Sequence, residues 1–314
     1  MKKFIISENG NFYKANLHCH SSDCSDGTFS LAELKKFYKE HGYSAVAFTD
    51  HNVLVDHSDM SDESFIALTG TEINIECKSD PVGAQRCYHL NLIAKDPHND
   101  SLVCFNPEYI RRQNSIEYAK TQKYVGTPDF LREYSVECAN KIIDEANKNG
   151  FLVNYNHPRW SLQTWEDYHG LRGLFGMEVY NGDCYRQCGR QDVNEDIYDD
   201  FLRHGVDIAP IAADDNHNQK PIGHPKFDSA TGWVMIKADK LDYKSLTSSL
   251  EARNFYASNG PEIKSCYIED GYIHVETSPC EFIRINSQLR AVSTECGEKK
   301  GDPITECHLK IQDG

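Results

Sequence analysis

Basic residues are scarce in this chain: 33 lysines and arginines stand against 48 aspartates and glutamates, for a formal net charge of −15. A field of that sign repels the phosphate backbone of nucleic acids, so a long polyanion is not an expected partner. Also missing is an apolar run long enough to cross a bilayer, and no membrane association is expected. The opening stretch MKKFIISENGNFYK carries two lysines but only a brief apolar run, shorter than the hydrophobic region of a signal peptide. The 12 cysteines include no CxxC pair. Without an export signal they read as reduced thiols of a cytoplasmic protein. What remains, 314 residues at 39% hydrophobic content, suits one large soluble α/β domain with room for a small appendage. Oligomeric state is not legible in the sequence.

What is there is histidine and acid at the ends of short apolar runs. In NLHCHSSDCSDG, alternation along an extended chain points His18 and His20 to one face and Cys19 to the other. A pair at this spacing is a two-ligand grip or an ordinary polar strand face. The following segment opens with Ser30 and Glu33 as a capping box, continues with Leu31, Leu34, Phe37 and Tyr38 as a helical stripe, and stops at Gly42. The run SAVAF then reads as a buried strand ending at Asp50 and His51. Near Asp215 and His217 the same order returns: a helix closing at His204 and Gly205, then a strand. A third such unit ends at His157. Further strands carry Glu72 and His89, and LFGMEVYNG ends near Asn181. Strands alternating with helices predict a parallel sheet, closed or nearly closed, with its polar residues gathered at one end.

Two regions depart from this alternation. Residues 96–137 form an excursion expected to act as a lid over the site. From residue 260 the pattern changes to short alternating runs divided by Asp-Gly and Ser-Pro turns, which predicts a small antiparallel β subdomain over 260–314 beside a barrel over 12–259.

Taken in order, HCHSSDCSDG, AFTDHN, GTEI, YHLNLIA, NYNHP and ADDNH resemble the polymerase and histidinol phosphatase (PHP) superfamily of metal-dependent hydrolases, in the branch with a β-rich C-terminal extension. The resemblance spans about residues 16 to 217. It implies a distorted (β/α)7 barrel with up to three divalent metal ions. By this resemblance His18 and His20 hold one ion with Glu72 and Asp215; Asp26, His51 and His217 hold a second; and Glu72 bridges to a third held by His89 and His157. Some members place a histidine where this chain has Asp26, which makes the second site harder and more anionic. Glu72, Asp215 and His217 are read as the catalytic members.

The residue chemistry agrees with this division, because imidazole and carboxylate together suit manganese, iron or zinc, and carboxylates both bridge and balance neighbouring dications. The remaining histidines have plainer readings. His41 and His204 each precede a glycine at a helix end, where the ring meets the helix dipole. His57, His98, His169, His224, His274 and His308 are expected in solvent.

Clustered dications deliver hydroxide at neutral pH and neutralise charge on a phosphoryl oxygen, so the natural reading is a phosphoesterase acting on a small phosphorylated metabolite or nucleotide. Arg159, directly after NHP, is the first candidate for a phosphate clamp, with a surface salt bridge as its plain alternative. Arg186 and Arg190 follow, and Tyr155, Trp160 and Asn181 are candidates for the pocket lining. A carbamate or carboxyl ester hydrolase could use the same ions. A metal-binding regulatory module of the kind found beside polymerases is disfavoured, because a structural role would tolerate missing ligands.

Overall fold

A computed structural model describes residues 2–188, 193–286 and 293–311. Seven strands make the barrel wall: β1 (Asn11–Asn16), β2 (Ala45–Phe48), β3 (Ile66–Glu76), β4 (Cys87–Ala94), β5 (Phe151–Tyr155), β6 (Gly176–Asn181) and β7 (Ala209–Ala213). They lie side by side in chain order. Beyond its regular span β1 continues to meet the end of β7, through a parallel bridge between Cys19 and Asn216 and a 3.0 Å bond from the Asp215 amide to the His18 carbonyl. That contact all but closes the barrel. Two further strands, β8 (Trp233–Ala238) and β9 (Phe255–Ser258), extend the sheet antiparallel on the outer side of β1.

The expectation of an all-parallel sheet needs correction at β4. This strand runs antiparallel to both β3 and β5, whereas β1–β2, β2–β3, β5–β6 and β6–β7 are parallel. The reason is local. Only residues 77–86 join β3 to β4, too few for a helical crossover, so the chain turns back on itself. His89, near the start of β4, therefore lies at the same barrel end as residues that close the parallel strands.

Helices α1 (Leu31–Glu40), α2 (Gln113–Ala119), α3 (Val136–Lys148), α4 (Glu195–Arg203) and α5 (Tyr243–Glu251) include the covering layer. The Ser30–Glu33 capping box forms as expected. At the helix ends His41 and His204 turn their Nδ1 atoms onto the Phe37 and Asp200 carbonyls at 2.8 and 2.7 Å. Burying Leu34, Phe37 and Tyr38 of α1 and the Ile142–Ile143 face of α3 against the wall supplies core on the outer face of the barrel, while Ile66, Leu68 and Ile211 belong to a separate cluster that also holds Leu17. No helix among the described residues is long and apolar enough to cross a membrane.

The C-terminal part is antiparallel: β10 (Ile263–Glu269), β11 (Tyr272–Cys280) and β12 (Ile304–Lys310), with a short hairpin of Phe282–Ile285 and Ser293–Cys296. Lys3–Phe4 adds to the free edge of β10, a pairing across the whole chain that local sequence pattern does not show. Its small core is Ile283, Cys307 and Leu309.

Candidate metal centre

Along the extension of β1, Cys19 packs outward against α1 and Leu17 joins the cluster of Ile66, Leu68 and Ile211, while His18 and His20 turn toward the other donors, all four buried. The chain then folds back so closely that a Cβ on Gly27 would sit 2.3 Å from the His20 carbonyl oxygen. Only glycine fits there, and the fold-back brings Asp26 over the barrel mouth. His157, Asp215 and Asn52 hold φ angles of 26°, 52° and 59°, sparsely populated for residues with a Cβ. Such strain collects where the surrounding structure dictates a side chain's direction.

All nine ligand candidates converge. His18 Nε2 and His20 Nε2 are 3.1 Å apart, and each lies 3.0 Å from Asp215 Oδ1. Glu72 approaches the same two nitrogens at 3.3 and 3.5 Å. Asp26 Oδ1 stands 3.6 Å from His51 Nε2 and 3.5 Å from His217 Nε2, with the His20 ring stacked on His51 at 4.4 Å. On the other side Glu72 Oε1 meets His89 Nδ1 at 2.9 Å and His157 Nε2 at 3.4 Å. A cation with bonds of about 2.1 Å holds its donors about 3.0–3.5 Å apart, which is the spacing seen here.

Two further observations fit the residues to cations. His20 Nδ1 and Glu72 Oε2 are buried and make no hydrogen bond; Glu72 Oε2 lies 3.0 Å from His51 Nδ1 without bonding geometry. Like groups are also crowded together. Burial and the neighbouring His51 push the His20 ring down to about 4. Burial pushes the Asp26 carboxyl up, but His51, His20, His217 and Arg112 outweigh it and hold it at about 2. Burial likewise opposes the charge on His157, yet the Glu72 hydrogen bond and Asp215 raise it to about 9. Carboxylates and imidazoles this close form a donor set that divalent ions match by taking the place of the protons held there.

A residue absent from the sequence reading organises this cluster from behind. Glu178, fully buried on β6, accepts from His18 Nδ1 at 2.7 Å, from the His157 amide at 3.0 Å and from Asn181 Nδ2 at 2.8 Å. The first bond places the proton of His18 on Nδ1 and turns Nε2 toward the other donors. Asn181 also donates to Asp215 Oδ2 at 3.0 Å. The adjacent Asp214 has a different task. It accepts from the Thr231 and Gly232 amides and from the Tyr38 hydroxyl, and so pins the loop after β7.

The donors open onto a cavity of about 730 Å³, whose wall includes Asn52, Asn74, Tyr109, Trp160, Gln187 and Gln219. Trp160 is a lining residue, with its ring 4.9 Å from that of His157; Tyr155 is core, and Asn181 lies beneath the donors. Arg159 and Arg186 are not among the lining residues. Arg159 Nη2 pairs with Asp196 at 2.6 Å, and Arg186 Nη1 donates to the Pro225 carbonyl at 3.2 Å. Arg190 lies outside the described residues. Instead Arg111 and Arg112 line the cavity. His57 also departs from expectation: it is buried beside Phe48.

A model of the PHP domain matches residues 16–181, 166 of the 314 positions. A search of curated proteins finds no match. Among solved structures, a two-domain Bacteroides vulgatus protein containing a predicted PHP-like metal-dependent phosphoesterase aligns over 99% of this chain and 90% of its own, at 16% identity and a TM-score of 0.53. A candidate metal-dependent phosphoesterase from Bifidobacterium adolescentis aligns over 71% of this chain and 94% of its own, at 18% identity and a TM-score of 0.41. An amidohydrolase from Chromobacterium violaceum, solved with sulfate and no metal, aligns over 67% and 90%, at 18% identity and a TM-score of 0.41. The family model covers more than half of the chain, and its match begins at the end of β1, two residues before His18: the chain belongs to the PHP domain family.

Proposed function

We propose that this protein is a metal-dependent phosphoesterase acting on a small phosphorylated metabolite or nucleotide. The observation that carries the reading is the convergence of nine imidazole and carboxylate side chains, with neighbouring donors 2.9–3.6 Å apart, on one open cavity. His18, His20, Glu72 and Asp215 would hold one divalent ion; Asp26, His51 and His217 a second; His89 and His157, with Glu72 shared, a third. Manganese, iron and zinc all suit this donor set. Bound dications supply Lewis-acid polarisation of a phosphoryl oxygen and activation of water at neutral pH.

The chain's own residues do the rest. Glu72 contributes both oxygens to neighbouring donor groups and balances their charge. Glu178 fixes the tautomer of His18, and Asn181 holds Asp215 in line. His217 Nδ1 turns to the Asp215 carbonyl at 2.9 Å, leaving Nε2 for the cavity. Trp160 and the amides of Asn52, Asn74, Gln187 and Gln219 offer a mixed surface for the organic part of a small substrate. We read residues 12–259 as the hydrolytic unit, 96–137 as its cover and 260–314 as an appended β unit.

The test is turnover by the manganese-, iron- and zinc-loaded protein on a panel of phosphomonoesters, phosphodiesters and carbamate esters. Phosphoester hydrolysis abolished by chelation is the expected result. Cleavage of neutral esters alone would replace this reading with that of a carbamate or carboxyl ester hydrolase.

A further inference from the structure

The cavity wall is short of positive charge. Its carboxylates are Asp26, Glu72, Glu76, Asp183 and Asp215, and the only lysine or arginine side chains among the described lining residues are Arg111 and Arg112. Both come from the excursion, just ahead of α2. Their placement is built rather than incidental. Asn114 Nδ2 donates to the Ser22 and Ser25 carbonyls at 2.8 and 2.5 Å, and the Ser115 hydroxyl to the Cys24 carbonyl at 2.5 Å. These bonds tie the start of α2 to the loop that carries Asp26.

Asp26 is shared between two tasks. Its Oδ1 faces His51 and His217, while its Oδ2 accepts from Arg112 Nη2 at 2.5 Å. A histidine at position 26 would have no second oxygen for this contact. The Arg112 side chain is 56% exposed on the cavity edge, and one hydrogen bond leaves most of its five N–H groups available. Arg111 reaches Glu76 only at 3.4–3.5 Å, and an exposed pair of that length is readily exchanged.

We propose that Arg112, held beside the donor cluster by Asp26 and assisted by Arg111, is the clamp for the phosphoryl group of the substrate, the role that Arg159 cannot fill while it faces Asp196. This rests on the phosphoesterase reading. It also makes Asp26 and Arg112 a matched pair: the carboxylate is at once a ligand candidate and the anchor of the clamp. A guanidinium meets two phosphoryl oxygens in its plane, and lysine offers only a point charge.

The experiment is calorimetric titration of the manganese-loaded protein with inorganic phosphate, alongside steady-state kinetics on a phosphomonoester that the wild type hydrolyses, for R112A, R112K, R111A and R159A. Phosphate affinity should fall tenfold or more in R112A and KM rise in parallel, with R112K recovering part of the loss, R111A showing a smaller one and R159A matching wild type. Metal content should be equal throughout. Wild-type phosphate affinity in R112A would overturn the assignment and leave the phosphoesterase reading standing. Metal loss from R112A in step with phosphate affinity would also overturn it, by making Arg112 a support for Asp26. Should the wild type hydrolyse no phosphoester, the functional reading falls, and the phosphate titration still decides whether Arg112 binds the anion.

Discussion

His18 Nδ1 and Glu178 Oε1 stand 2.7 Å apart with both side chains fully excluded from solvent. Glu178 also accepts the His157 amide and the Asn181 side chain, so one carboxylate orients three groups of the centre. Glu178→Gln keeps the shape but turns an amide N–H toward one of these donors. We expect metal affinity to fall about 10- to 100-fold, with the circular dichroism spectrum unchanged. Wild-type metal retention during dialysis against a weak chelator would make Glu178 a packing residue only.

Glu72→Gln removes charge where His18, His51, His89 and His157 all approach one carboxylate. The expected outcome is loss of bound metal and of turnover in a folded protein. Elemental analysis should give close to three divalent ions per wild-type chain and fewer in the variant. A stoichiometry of one in metal-replete wild type would contradict the three-site assignment.

Proton and metal compete at His157. In the metal-free protein its ring is raised to about 9, so burial is outweighed by Glu72 and Asp215. The protonated ring contributes stability to the metal-free fold that is fully present below about pH 6.5 and is lost as pH rises through about 9. A cation must displace that proton. Apparent metal affinity should therefore increase from pH 6.5 to 9, with proton release measurable by titration in buffers of different ionisation enthalpy. A flat profile across this window would refute the competition.

Arg159→Ala should change kcat/KM on any accepted phosphoester less than twofold. Its side chain is 40% exposed and that of its partner Asp196 67% exposed, a surface pair of the kind worth about 0–1 kcal/mol to stability. A tenfold kinetic loss would return Arg159 to the substrate site.

Much of the centre was legible because its ligands sit where apolar runs stop, and a histidine or acid at a strand end has few ordinary uses at such regular intervals. Alternation alone separated His18 and His20 from Cys19. Glu178 escaped notice because a single carboxylate in GMEVYNG reads as the solvent side of a strand, and its buried partners come from positions 18, 157 and 181. Arg111 and Arg112 were hidden in a segment with no periodicity to orient them. Arg159 misled through its nearness in sequence to His157: it lies beyond the end of β5, and its side chain pairs with Asp196. The reversed β4 was missed because hydrophobic pattern carries no direction.

That reversed strand imposes a parity on the path of the chain. A strand running backwards delivers the polypeptide to the far end of the barrel, where Lys95 bonds the Gly150 carbonyl near the foot of β5. Yet α3, which leads down into β5, starts near the opposite end. The chain has to climb the full height of the molecule before the next strand can begin, and residues 96–135 are the climb. A barrel of seven forward strands would need no such ascent and would leave its mouth bare on that side; here the detour brings two arginines to the rim.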